Sequence, residues 1–321
     1  MTGRRPGQFE LIARYLAPLA RSFPGAGNLK SDNAFLPADG RHDLVVKTDT
    51  VVAGVHFLPD ERPARIAAKA LRVCLSDLAA GGATPYAYQL ALALPRQWTE
   101  RWIGQFVRGL RADQRRYGIV LCGGDTVATP GPLTITITAF GRVPRGQGLN
   151  RAAAEAGDEL WVSGTIGDAA LGLLAAGRRL ASSALEKRYR LPQPRTALGP
   201  LLLGVAHATA DVSDGLLADA GHIAEASGLA VVIEREQVPL SREARRIVES
   251  DPSLWGVVLG GGDDYELVMA VPPRCRNALL EAGRAAKIPL SPIGVFARGR
   301  GVRLTVAGRA VRPPRMGYVH F

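Results

Sequence analysis

Aspartates carry most of the chemistry this sequence can offer, and they stand where short apolar runs end. In Ile119-Val120-Leu121-Cys122-Gly123-Gly124-Asp125-Thr126, apolar residues suit a buried strand, and two glycines then allow a sharp turn or a close approach to a ligand. The same grammar returns at Val257-Val258-Leu259-Gly260-Gly261-Gly262-Asp263-Asp264. Variants of it occur at Val45-Val46-Lys47-Thr48-Asp49 and at Ala210-Asp211-Val212-Ser213-Asp214-Gly215. Separated segments thus place carboxylates at predicted strand ends or just beyond them. Asp32, in the loop Lys30-Ser31-Asp32-Asn33, and Asp77 complete the set.

Like charges brought into one pocket repel unless cations neutralise them. Asp32, Asp49, Asp77, Asp125, Asp211 and Asp214, with Thr48 and Ser213 beside them, are hard oxygen donors with no His or Cys cluster among them. That donor set favours Mg²⁺ over zinc or copper, and several aspartates imply several ions or a phosphate-rich ligand. A plainer reading is available for each residue alone. Ser213-Asp214 before a helix is also an ordinary cap. Asp77, in the last turn of a predicted helix, opposes the helix dipole by about 0.3–1 kcal/mol, which is either tolerated or compensated by a cation. The chain holds no GxxxxGK[ST], GxSxG or HExxH, and Gly25-Ala26-Gly27 lacks a third glycine and a preceding strand. Phosphates would therefore be held by metal, helped by backbone N–H groups at the glycine turns 123–124 and 260–262.

The elements that must position these residues follow from periodicity. Helices are predicted at Phe9–Leu19, Pro63–Ala80, Glu100–Tyr117, Asp168–Ala176, Ala181–Tyr189, Thr196–Ala206, Leu216–Ala226, 241–249 and 274–286. Strands are predicted at Leu44–Val52, interrupted by Thr48-Asp49-Thr50, at Tyr86–Leu94, over the apolar run from Ile119 that leads into Gly123-Gly124-Asp125, and at Leu133–Phe140, Glu159–Ser163, 229–234, 265–271, 290–296 and 302–306. Pro144–Gly157 is rich in Gly, Arg and Ala without periodicity, and the expected division is residues 1–150 and 151–321. The fold class is α/β (α+β), with mixed sheets flanked by helices in each half.

At 321 residues with 47% hydrophobic and 21% charged content, the chain has the composition of a soluble globular protein with a sizeable core. Its formal net charge of +11 is mostly scattered arginine without long basic runs, which argues against a nucleic-acid footprint and suits a polyanionic small substrate. Cys74, Cys122 and Cys275 have neither disulfide-frame nor zinc spacing. No apolar run reaches the ~18 residues of a membrane span, and no apolar stretch follows Arg4-Arg5 as in a secretory signal. The expected location is the cytoplasm.

Taken together, Lys47-Thr48-Asp49-Thr50-Val51-Val52-Ala53-Gly54-Val55-His56-Phe57, Leu75-Ser76-Asp77-Leu78-Ala79-Ala80, Gly123-Gly124-Asp125-Thr126, Asp211-Val212-Ser213-Asp214-Gly215-Leu216 and Gly261-Gly262-Asp263-Asp264-Tyr265-Glu266-Leu267, in that order, resemble thiamine-monophosphate kinase. Its superfamily includes aminoimidazole ribonucleotide synthetase and selenophosphate synthetase. The likeness extends from about Phe9 to Gly317-Tyr318-Val319-His320-Phe321. The resemblance implies ATP-dependent phosphorylation of thiamine phosphate to thiamine diphosphate, Mg²⁺ ions, and a homodimer built through the N-terminal domains. It implies that Asp32, Thr48, Asp49, Asp77, Asp125, Asp211 and Asp214 hold magnesium. It further implies that Tyr117, Gly124, Asp125, Arg151 and Ser213 meet ATP, and that His56, Asp263 and Tyr318 contact thiamine phosphate. Asp125, Arg151 and Asp211 are the implied catalytic residues.

Three departures stand out: only Asp32 remains of an acidic stretch near the start, Lys47 replaces a small hydroxyl residue, and Asp263 replaces a glutamate. Without the resemblance, His56 and Tyr117 read as packing residues, Arg151 as an exposed loop arginine and Tyr318 as a tail residue. The expected reaction is direct in-line transfer without a phosphoenzyme. The rivals are a related synthetase that activates an amide or carbonyl oxygen and, from another class, a basic nucleic-acid-binding protein.

Overall fold

The computed structural model describes residues 8–23, 26, 36, 39–313 and 316–318. Asp32 lies outside the described residues. The chain divides into two compact units, Met1–Leu78 with Thr84–Arg145, and Ala79–Ala83 with Gly146–Phe321.

The first unit is built on four strands, β1 (His42–Val52), β2 (Thr84–Pro95), β3 (Val120–Thr129) and β4 (Thr134–Pro144), ordered β1-β4-β2-β3. β4 is antiparallel to β1 and β2, while β3 runs parallel to β2. The alternation Thr134-Ile135-Thr136-Ile137-Thr138 decides the faces of this sheet. Ile135, Ile137 and Ala139 are fully buried, whereas Thr138 and Thr136 meet Thr48 and Thr50 of β1 through hydroxyl pairs at 2.9 and 2.8 Å. Short α1 (Gln8–Leu11) continues through tighter and wider turns to Leu19.

Helix α2 (Pro63–Ala80) lies against the Ile137 face, its Cys74 Sγ reaching the Ile137 carbonyl oxygen at 3.3 Å. Helix α3 (Glu100–Tyr117) starts at Thr99, whose hydroxyl accepts the Trp102 N–H at 3.1 Å, and ends at Gly118 with φ 66°. The two helices touch closely where a Cβ on Gly109 would lie 2.3 Å from the Ala64 carbonyl oxygen. A buried bidentate pair, Arg72–Asp113 at 2.7 Å on both oxygens, joins them further along.

The second unit carries β5 (Glu159–Ser163), β6 (Ala208–Asp211), β7 (Ala230–Glu234), β8 (Leu267–Val271), β9 (Leu290–Ala297), β10 (Gly301–Val306) and β11 (Arg309–Val311) in the order β11-β10-β7-β9-β5-β8-β6. Its helices are α4 (Asp168–Ala176), α5 (Ser183–Arg190), α6 (Leu216–Ala226), α7 (Arg242–Ser250), α8 (Trp255–Gly260) and α9 (Arg276–Ala286). Every residue of β6 and β8 is buried, because both faces of the sheet are covered. Leu160, Val162, Val268 and Ala270 pack with α6, α7 and α8. The intervening Trp161, Leu267, Met269 and Val271 pack with Leu279 and Ala282 of α9.

Two elements differ from the sequence reading. Val257-Val258-Leu259 forms the middle of helix α8, not a strand. A short apolar run has no period of its own, and here a turn capped by Asp251 and opened by Pro252 starts a helix just ahead of it. Thr196–Ala206 holds only a short 3-10 turn, Gly199–Leu202, since glycine and proline inside it disfavour a longer helix.

Candidate active site

The first cluster grows from β1. Strand alternation turns Lys47 and Asp49 toward α2, where Asp77 sits near the C-terminal end. The Lys47 ammonium bridges the two carboxylates, 3.2 Å from Asp49 Oδ1 and 2.9 Å from Asp77 Oδ1. Burial works against this ammonium, but the charges of Asp77 and Asp49 outweigh it and push its pKa up. Cys74 Sγ donates to Asp49 Oδ2 at 3.3 Å. Burial, with the Asp49 charge, pushes that thiol's pKa well up, so it remains a packed, protonated donor.

Thr48 points to the opposite face of the sheet, with its hydroxyl on Thr138. Asp125 is on that face too, exposed and in the row Thr50–Thr136–Ala91–Asp125, with Oδ1 accepting the Thr126 N–H at 2.7 Å. Asp49 and Asp125 therefore stand on the two edge strands, three strand spacings or roughly 14 Å apart along a flat sheet. Gly123 and Gly124 are not a turn as expected; they lie within β3. A Cβ on Gly124 would meet the Leu90 carbonyl oxygen at 1.9 Å, so the glycine permits close strand approach.

His56 follows β1 in a turn, where its Nδ1 accepts the Val52 N–H at 3.0 Å. An accepting Nδ1 is unprotonated, which leaves the proton of the neutral ring on Nε2. Tyr117, at the end of α3, has the Arg72 and Arg116 guanidinium groups 5.6 and 5.3 Å from its ring centre.

The second cluster lies where β6 ends. Asp211 is buried, and the chain then turns through Val212-Ser213-Asp214-Gly215 into α6. Asp219 organises this turn. Its Oδ2 accepts the N–H groups of Ser213, Asp214 and Gly215 at 3.0, 3.0 and 3.1 Å. Burial, with the neighbouring Asp211 and Asp214 charges, pushes the Asp219 pKa up to about 8.

The glycine-rich loop 260–266 is stitched to the same turn. Asp263 N–H donates to the Ser213 carbonyl oxygen at 2.8 Å, and Tyr265 N–H to that of Val212 at 2.9 Å. A Cβ on Gly262 would lie 2.3 Å from the Ser213 oxygen. Asp263 and Tyr265 both adopt positive φ, 66° and 54°, and the Tyr265 hydroxyl donates to Asp263 Oδ1 at 2.8 Å. Left-handed backbone at a bulky tyrosine costs on the order of 1–3 kcal/mol, a strain characteristic of functional loops. The tail joins them, with Tyr318 N–H on the Asp214 carbonyl oxygen at 2.8 Å. Ser213, Asp214, Asp263 and Tyr318, far apart in sequence, are thus neighbours. A cavity of about 910 Å³ beside them is lined by His222, Glu225, Leu229, Val302, Met316 and Tyr318. Arg151 stands apart in an exposed loop, its carbonyl oxygen accepting the Ser227 hydroxyl at 3.1 Å.

Below this turn, fully buried Glu266 is held by Arg188 at 3.0 Å, by Arg195 Nε at 2.5 Å and by the Ser163 hydroxyl at 2.6 Å. Asp264, also buried, accepts the Gly167 and Ala169 N–H groups at 2.6 and 3.0 Å at the start of α4. Sequence reasoning missed Asp219 and His222. Their ligand atoms lie with that of Asp214 within 4.8 Å of one another, and their i, i+3 spacing on one helix face was the available signal. Asp219 Oδ1 is buried without a hydrogen-bond partner among the described residues. An orphaned carboxylate oxygen beside Asp214 fits a hard divalent cation.

Comparison with known proteins adds the family. The profile described as AIR synthase related protein, N-terminal domain, matches residues 30–143, and the corresponding C-terminal domain matches 155–307. The thiamine-monophosphate kinase of Caulobacter vibrioides is 45% identical over 320 residues, covering 98% of this chain and 91% of that protein. That of Salmonella typhimurium is 40% identical, covering 98% of both.

The chain belongs to the thiamine-monophosphate kinase family.

A solved thiamine-monophosphate kinase from Stenotrophomonas maltophilia superposes with a TM-score of 0.80 at 41% identity, covering 88% of this chain and 91% of that one. AaThiL, solved in complex with AMPPCP and TMP, superposes with a TM-score of 0.78 at 28% identity and covers both chains completely. Hydrogenase maturation protein HypE shares the fold, with a TM-score of 0.77 at 21% identity. The thiamine-monophosphate kinase likeness therefore spans both units and all the motifs described above.

Proposed function

We propose that the protein transfers the γ-phosphoryl group of ATP directly to thiamine phosphate, forming thiamine diphosphate and ADP. The observation that carries this reading is the full-length match to thiamine-monophosphate kinases, including one complexed with AMPPCP and TMP. The acceptor is a phosphate monoester with a second pKa near ~6. It is already an oxyanion at neutral pH, so the protein needs no strong general base. The task is to hold two polyanions together in line.

In this reading Thr48, Asp49, Asp77, Asp125, Asp211 and Asp214, with Asp32, hold magnesium. Bound Mg²⁺ supplies charge neutralisation and alignment of the phosphates. Asp219 keeps the Ser213–Gly215 turn in shape through its three N–H contacts. Tyr117, Gly124, Asp125, Arg151 and Ser213 meet ATP, with the exposed positive charge of Arg151 suited to the γ-phosphate. His56, its proton on Nε2, donates to the thiamine phosphate, which Asp263 and Tyr318 also contact.

A homodimer through the first unit belongs to this proposal. Leu44, Val46 and Val127 are 45%, 56% and 49% exposed on the open sheet face, an apolar surface that a second copy would cover. β1 and β3 are the two edges of that sheet, so edge-to-edge pairing of two protomers would bring Asp125 of one beside β1 of the other. A cytoplasmic location accords with the described residues, which contain no helix long and apolar enough to cross a membrane.

The direct test is incubation of the purified protein with ATP, Mg²⁺ and thiamine phosphate. Thiamine diphosphate and ADP should form in equal amounts, and no product above a chelated control would end the assignment.

A further inference from the structure

We propose that the Lys47 ammonium is a built-in cation that takes the place of one divalent ion between Asp49 and Asp77. The inference concerns how many metal ions the first unit takes up, and so deepens the reading above. Two carboxylates from different elements, β1 and α2, face each other here beside a fully buried layer that includes Cys74 and Ile137. Left to themselves they would repel, and Asp77 in addition opposes the dipole of its own helix.

Lys47 answers both problems. It lies two positions before Asp49 on the same face of β1, which brings its Nζ within hydrogen-bond distance of one oxygen of each carboxylate. An ammonium is a compact point charge with three donors, the same sign and much the same reach as a hydrated metal ion. It differs in two respects that matter. It cannot dissociate from the site, and it cannot coordinate a phosphate oxygen while also presenting bound water. The Asp49–Asp77 pair is therefore half neutralised before any metal arrives. Any ion bound alongside would have to share these carboxylates with the ammonium, and none can take the centre that Nζ occupies.

Counting bound metal tests this without reference to phosphoryl transfer. Mn²⁺ binding to the full-length protein is measured by the free-ion electron paramagnetic resonance signal, in the absence of nucleotide, for the native protein, Lys47→Thr and Lys47→Arg. Lys47→Thr removes the charge and supplies a hydroxyl ligand, and it should bind one more Mn²⁺ per protomer than the native chain. Lys47→Arg keeps the charge and should bind the native number. Thermal unfolding provides a second readout through Lys47→Met. With chelator present, this variant should unfold several degrees below the native protein, and millimolar Mg²⁺ should restore it. Equal Mn²⁺ counts for native and Lys47→Thr protein, or no Mg²⁺ rescue of Lys47→Met, would overturn the proposal. Failure of thiamine phosphate turnover in every variant would bear on the assigned reaction and leave these counts unaffected.

Discussion

Replacing Asp219 probes whether one buried carboxylate shapes the turn that presents Ser213 and Asp214. Asp219 is fully buried, and three backbone N–H groups converge on its Oδ2 while Oδ1 has no partner among the described residues. With its pKa pushed up to about 8, Asp219 is largely a neutral acceptor near pH 7, and hydrogen bonds of that kind contribute about 0.5–1.5 kcal/mol each. Asp219→Ala removes three of them and leaves the buried N–H groups without an acceptor. A net loss of about 3 kcal/mol for Asp219→Ala is the resulting expectation, which lowers the unfolding temperature of a unit this size by roughly 6–12 °C. Asp219→Asn places its carbonyl oxygen where Oδ2 was, keeping all three acceptor contacts. Its amide nitrogen then occupies the position of Oδ1 and loses little. It should unfold within about 3 °C of the native protein, since it lacks one neutral hydrogen bond at most. The assay is thermal unfolding by circular dichroism in the presence of chelator. Equal unfolding temperatures for Asp219→Ala and Asp219→Asn would refute the argument, because the acceptor geometry would then be irrelevant.

Removing one partner of a buried ion pair is costly, so Glu266→Gln, which leaves Arg188 and Arg195 without their carboxylate, should destabilise by about 3–5 kcal/mol in urea unfolding. Gly164→Ala should be similarly damaging, since its φ is 60° and the added carbon would lie 2.3 Å from Glu266 Oε1; a change below about 1 kcal/mol would contradict that close contact. Burial outweighs the N–H contacts of Asp264 and pushes its pKa from the ordinary 3.8 up to about 7. The folded state therefore binds the extra proton between those values, and stability falls as pH rises through that window and levels off above it. Relative to Asp264→Asn, the native protein should accordingly gain about 3 kcal/mol on going from pH 8 to pH 5, and a pH-independent difference would exclude this titration. Asp125→Asn should lower turnover at least ~100-fold if the carboxylate holds catalytic metal. Mixing Asp125→Asn with Asp49→Asn protomers should restore activity if the two edge strands complete one site across a dimer; no recovery from verified heterodimers would confine the site to one protomer.

The family was legible in the sequence because its motifs are local. Runs such as Lys47-Thr48-Asp49, Gly123-Gly124-Asp125 and Asp211-Val212-Ser213-Asp214-Gly215 combine residue types and spacings that a scan along the chain detects. Periodicity likewise marked out Pro63–Ala80 and Glu100–Tyr117, whose amphipathic stripes and flanking stop signals lie within the segments themselves. Tertiary structure decided the rest. Val257–Leu259 became helical because its neighbours, not its own residues, set the backbone there. Which face an aspartate occupies depends on strand register, and a shift of one residue exchanges the faces. That is why Asp49 turned toward α2 while Asp125 took the open side of the same sheet. Lys47 reads in sequence as a lone departure. Only the packing of α2 against β1 made its ammonium a bridge between Asp49 and Asp77. Asp219 was overlooked for a related reason: its i, i+3 spacing to His222 is present in the sequence, but the turn that its carboxyl group closes depends on where the chain folds back.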